Sequence, residues 1–243
     1  MTNENAVKTM SLKKKALIVL CALVSVVVIV ATSVLATVAL LTSSATVTNT
    51  FTIGNVGITL KESKVNPDGT LFDDGATKVD ANIYNLVPNT TYVKDPTITV
   101  TEGSENSYLF VTIRNDLTSI AANDPGNDKP TIAYQLKERG WAKYAEVATG
   151  NVYVYVGDHS ESMDTDGVYV AGSPAECVNE GTYQLFDTFS IKPDADVSAF
   201  GAAEITIRAF AIQDAGLSTV ADAWAAVLQH YPYIHTGNTS ASN

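Results

Sequence analysis

Side chains able to do chemistry are few in this chain and poorly grouped. The histidines are His159, His230 and His235. A zinc-peptidase helix needs two histidines four apart with a glutamate beside the first, and no such motif occurs. His230 and His235 stand five apart across Pro232, so one helix cannot aim both at one ion. Both read as surface residues. Neither a Gly-x-Ser-x-Gly nucleophile elbow nor a phosphate-cradling glycine loop is present. Cys177 sits in Glu-Cys-Val, with nothing beside it in sequence to activate a thiol. Ser162, Asp164, Asp166 and Gly167 have the spacing that opens a calcium-binding EF-hand loop. Serine replaces its first carboxylate, and Ser173 stands where a bidentate glutamate is needed. Asp68, Asp73 and Asp74 form a second, less ordered acidic loop. Both loops are expected to be solvated turns. No catalytic, cofactor-binding or metal-binding residues are expected, and the chain reads as a non-enzyme.

The elements around these residues read as strands. From Ser44 to Ile53, threonines and a serine alternate with Ala45, Val47, Phe51 and Ile53. Period two turns that pattern into one apolar and one polar strand face. Gly54 breaks it, and Val56, Ile58 and Leu60 resume it. Further strands are expected over 78–86, at Ile98 and Val100, and over 132–136, 152–156, 167–171, 184–191 and 204–212. Ser107 to Arg114 is apolar on both faces, so it is expected to lie between two layers. One helix is expected, capped at Ser218. Its stripe is Val220, Ala223, Trp224, Val227, Leu228 and Tyr231, at helical spacing. Many short strands with Gly, Pro and Asn turns predict a mainly β fold. The expected form is a jelly-roll-like antiparallel β-sandwich with one C-terminal amphipathic helix and minor helices.

The first forty residues differ from the rest. Lys8, Lys13, Lys14 and Lys15 precede an uncharged, apolar run from Ala16 to Leu41. A basic head before an apolar core is an export signal, and the run exceeds the ~20 residues that cross a bilayer. Residues 1–39 are therefore expected to be a signal peptide, cut between Ala39 and Leu40, or else an uncleaved membrane anchor. The chain carries a formal net charge of −11. Removing 1–39 makes it more acidic, since that stretch holds four lysines and one glutamate. Such a surface repels nucleic acid, which is not expected as a partner. Past the leader only Cys177 remains, so no internal disulfide is expected and the core must hold the fold.

Several segments resemble the TasA/camelysin family of biofilm-matrix fibre proteins, which are exported through the SipW-type signal peptidase. The leader and the stretch Thr48-Asn49-Thr50-Phe51-Thr52-Ile53-Gly54-Asn55-Val56-Gly57-Ile58-Thr59-Leu60 carry the resemblance, with Val87 to Pro96, Ser107 to Val111 and Ala209 to Gln213. Leu40-Leu41-Thr42 replaces the more aromatic residues usual near the cut. The resemblance implies a jelly roll that polymerises by donor-strand exchange. On that reading 40–55 is a donor-strand arm, 56–233 the domain and 234–243 a flexible tail. Ala45, Val47, Phe51 and Ile53 are then the apolar face of the polymerising strand. Copies of the chain are the expected partner, with the signal peptidase during export and other matrix proteins. The expected location is the extracellular matrix or cell surface. Two alternatives stay open: a monomeric, membrane-anchored surface or adhesive domain, and a secreted metallopeptidase of the camelysin type. Some members carry a peptidase label, but the histidine-glutamate motif is absent here.

Overall fold

The structure, a computed structural model, describes residues 42–236, with side chains over 50–234. The expected signal peptide and its expected cleavage bond at Ala39–Leu40 lie outside the described residues, as does most of the expected tail. The described strands are β1 (Thr42–Ile53), β2 (Ile58–Ser63), β3 (Lys78–Val79), β4 (Ala81–Asn85), β5 (Thr91–Val93) and β6 (Thr97–Val100). After them come β7 (Ser107–Asn115), β8 (Trp141–Val147), β9 (Gly150–Tyr155), β10 (Gly181–Gln184), β11 (Thr188–Ser190) and β12 (Ile205–Gln213). A short helix spans Ile132–Glu138 and a longer one Val220–His230.

The fold is mainly β. One sheet runs β4-β1-β12-β7-β9-β8, a second β10-β6-β2-β3, and β11 pairs with β5. Pairing is antiparallel except between β1 and β12, which run parallel. β7 and β12 occupy the middle of the large sheet because both of their faces are apolar. On one face, Leu109, Val111 and Ile113 join Ile205, Ile207, Ala209 and Ala211. These pack with Ile58, Leu60, Ile98 and Val100 of the second sheet to make a core between two layers. On the other face, Tyr108, Phe110, Phe210 and Ile212 pack against the longer helix.

That helix is capped by Thr219, one residue later than expected, its hydroxyl accepting from the Asp222 N–H at 3.1 Å. Val220, Ala223, Trp224 and Val227 are buried, as the apolar stripe requires. The Trp224 ring lies 5.2 Å from Phe110 and 6.3 Å from Phe210.

Three expectations are corrected. Residues 132–136 form a helix, not a strand. Ile132, Gln135 and Leu136 are buried at helical spacing, and the Thr131 hydroxyl caps the Tyr134 N–H. The alternation of Ile132, Tyr134 and Leu136 is too short to separate the two periods, and good helix formers decide it. Residues 167–171 make isolated bridges instead of a strand, Val168 to Lys143 and Tyr169 to Met163. They cover part of the outer edge of β8. The single strand expected over 184–191 is divided into β10 and β11. The Gln135 side-chain oxygen accepts from the N–H groups of Asp187 and Thr188 at 2.9 and 3.2 Å, fixing the break.

Candidate assembly site

β1 is a strand of its own domain's sheet. Its first half, Thr42 to Thr46, pairs antiparallel with β4, Ala45 lying opposite Asn82. Its second half pairs parallel with β12: Val47 opposite Ile207, Phe51 opposite Phe210, Ile53 opposite Ile212. One terminal strand thus joins two others, each over half its length. The segment expected as an arm takes the fold-back course.

The register shifts between Val47 and Thr50, which span three residues against two on β12. A bulge of this kind inverts the alternation. Position 47 is in phase with Ile207, a residue of the core between the sheets. Position 51 is in phase with Phe210, a residue of the helix-covered face. Val47 and Phe51, two steps apart in a period-two pattern, thus stand opposite β12 residues of different phase, because a period-two pattern does not contain the extra residue.

Aromatic rings hold the second half in place. Phe51 stacks on Phe210 and sits 4.7 Å from Tyr231 and 5.9 Å from Tyr233. The Tyr231 hydroxyl donates to the Thr52 carbonyl at 3.2 Å. Burial pushes the Tyr233 phenol up to about 12, so it stays neutral, and its hydroxyl is buried without a partner. Thr50 and Thr52 are exposed. Gly54 ends the strand at φ +94°, where a Cβ would meet the Gln213 side chain at 2.5 Å.

The other candidates do not converge. His159 pairs with Glu161 at 3.1 Å, and His230 is exposed. The side chain of His235 lies outside the described residues. The Ser162 hydroxyl is buried and donates to the Pro174 carbonyl, while one Asp164 oxygen accepts from the N–H groups of Asp166 and Val168. Asp68 and Asp73 are spent on the threonines Thr70 and Thr77. Among the described residues no three His, Cys, Asp or Glu side chains group to hold a metal. Burial, with the Asp214 charge behind it, pushes the Cys177 thiol up to about 11. A cleft of about 390 Å³ opens beside Asn115, Asn151, Tyr153, Phe189 and Lys192.

One cluster was missed by the sequence reading. Glu62 at the end of β2 and Lys94 just after β5 are both fully buried, with Nζ 2.5 Å from Oε2. The other Glu62 oxygen, Oε1, accepts from Asn82 Nδ2 at 2.8 Å. Desolvation raises the Glu62 carboxyl and lowers the Lys94 ammonium, against their mutual attraction. A signal was available: Glu62 continues the buried phase of Ile58 and Leu60, and Lys94 that of Tyr92. A charged residue on a strand's apolar phase must have a buried partner.

No family model, curated protein or solved structure matches the chain. The functional reading therefore rests on the residues and geometry above.

Proposed function

We propose that this is an exported structural protein of the cell surface or biofilm matrix, whose copies join through the N-terminal strand. The observation that carries the reading is the position of β1. It is the first strand, follows directly on the apolar leader, and fills a slot between β4 and β12. Withdrawing it would bare β12 over one half and β4 over the other, together with the Phe210 face. A slot that fits its own strand fits the same strand from a second copy equally well, because backbone pairing and side-chain contacts are identical. Exchange therefore needs no new complementarity, only release of the strand. The resemblance to the TasA/camelysin fibre proteins, the basic-headed apolar leader and the acidic composition support the same reading.

Negative-stain microscopy of the secreted protein tests it. Filaments are expected. Monodisperse particles at every concentration and pH tried would sink the reading. They would instead favour a monomeric surface domain, to which the self-paired strand lends its own support.

A further inference from the structure

Glu62, Lys94 and Asn82 bring a carboxyl group, an amine and a primary amide together in one buried cluster. We propose that Lys94 and Asn82 become joined by a side-chain amide, formed within the folded domain and promoted by Glu62. The inference does not depend on how copies of the chain assemble.

The geometry presents each group the reaction needs. Lys94 Nζ is the nucleophile and the Asn82 side-chain carbonyl carbon the electrophile. Both nitrogens that must exchange protons hang on one carboxyl group: Lys94 Nζ at 2.5 Å from Glu62 Oε2, Asn82 Nδ2 at 2.8 Å from Oε1. The hydrogen bonds set the amide's orientation. Oδ1 accepts from the buried Val65 N–H at 2.9 Å, and Nδ2 donates to Glu62 and to the Ser63 carbonyl at 2.8 Å. The Val65 N–H is therefore aimed at the oxygen on which charge develops as the carbonyl is attacked. Nδ2, the leaving atom, rests against an acid.

The chemistry balances without a co-reactant. In its ion-paired state Lys94 passes one proton to Glu62. Burial favours this transfer, since it disfavours both charges. The neutral amine attacks Cγ of Asn82. Glu62 delivers its proton to Nδ2, the Cγ–Nδ2 bond breaks, and ammonia leaves. The second Nζ proton passes to the Glu62 carboxylate. An amine and a primary amide have become a secondary amide and ammonia, and nothing is oxidised or reduced. Water, the competing nucleophile, is kept away because Glu62 and Lys94 are fully buried and Asn82 nearly so. Asp95 does not compete for the role. Its oxygens accept from the N–H and hydroxyl of Ser63, and Lys78 lies 3.5 Å away.

The bond would tie β4 of the large sheet to the turn between β5 and β6, and so to the second sheet. Asn82 is the residue opposite Ala45 in the β1–β4 pair. The wall on which β1 lies would thereby be fixed covalently.

Mass spectrometry decides the matter. The purified full chain is denatured and digested with trypsin, which cuts after Lys78 and Arg114 but not after an acylated Lys94. Residues 79–114 are expected as a single peptide, lighter by one ammonia. The Glu62→Gln variant should instead yield residues 79–94 and 95–114 at their full masses, and melt at a lower temperature. Two full-mass peptides from the unaltered chain would overturn the proposal, whatever the variants do. A loss of water joining residues 62–64 to 79–114 would also overturn it, by making Glu62 the acyl donor. Asn82→Asp offers an independent check: its cross-link should form with loss of water rather than ammonia.

Discussion

Phe51 and Phe210 stack, their ring centroids 5.1 Å apart and their planes 14° from parallel. The pair joins the first strand of the domain to the last, on the one parallel seam among the described strands. With Tyr231 and Tyr233 beside Phe51, it makes the aromatic contact that β1 would have to break before leaving its own sheet.

Phe51→Lys is therefore expected to lower stability by about 2–4 kcal/mol, somewhat below the loss from truncating a fully buried phenylalanine, because Phe51 is only half-buried. Thr50→Lys, one position away and exposed, should change it by no more than about 0.5 kcal/mol. Urea melts of the two variants test the placement. Equal stabilities would mean that the strand is not seated on β12.

Trp224 packs on Phe110, Phe210 and Tyr144 from the helix side of the large sheet. Trp224→Ala should destabilise the domain by about 3–5 kcal/mol, the range for deleting a large buried aromatic. A thermal melt that stays put would show that the helix adds little to the fold.

The Cys177 thiol offers a test by pH. Desolvation is the main cause that raises it from 9.0 to about 11, with the Asp214 charge adding to it. Alkylation by iodoacetamide should follow the thiolate and rise with a midpoint near pH 11 in the native protein. The linked effect on stability has a definite sign. The fold favours the neutral thiol, so this contribution is complete below the ordinary thiol value and is lost as pH rises through the window from 9.0 to about 11. A native alkylation midpoint at the ordinary thiol value would contradict the burial.

Gly54 closes β1 in a left-handed conformation that a side chain resists, and a Cβ there would also press on Gln213. Gly54→Ala should cost about 1–2 kcal/mol. Adding Gln213→Ala should restore only part of that, because it relieves the contact but not the backbone strain. Full recovery in the double variant would assign the whole effect to crowding.

What the sequence determined by itself is what alternation can carry. β7 and β12 were legible because each has apolar residues on both faces, and the longer helix because six apolar positions repeat at helical spacing. The mainly β class followed from these local patterns. Ile132 to Leu136 was not legible, because five residues satisfy both periods at once. Other features are settled only in three dimensions. The bulge between Val47 and Thr50 exists relative to β12, far along the chain, so no local pattern can show that Val47 and Phe51 pair with β12 residues of different phase. That β1 lies on β12 and β4 follows from which strand edges the rest of the fold leaves open. Glu62, Lys94 and Asn82 show the same division. The place of Glu62 and Lys94 on apolar phases was written in the residues, but Glu62 meets Asn82 across 20 positions and Lys94 across 32. Charges so far apart in sequence meet only because closing the sandwich removes water from all of them together, and each must then satisfy the others.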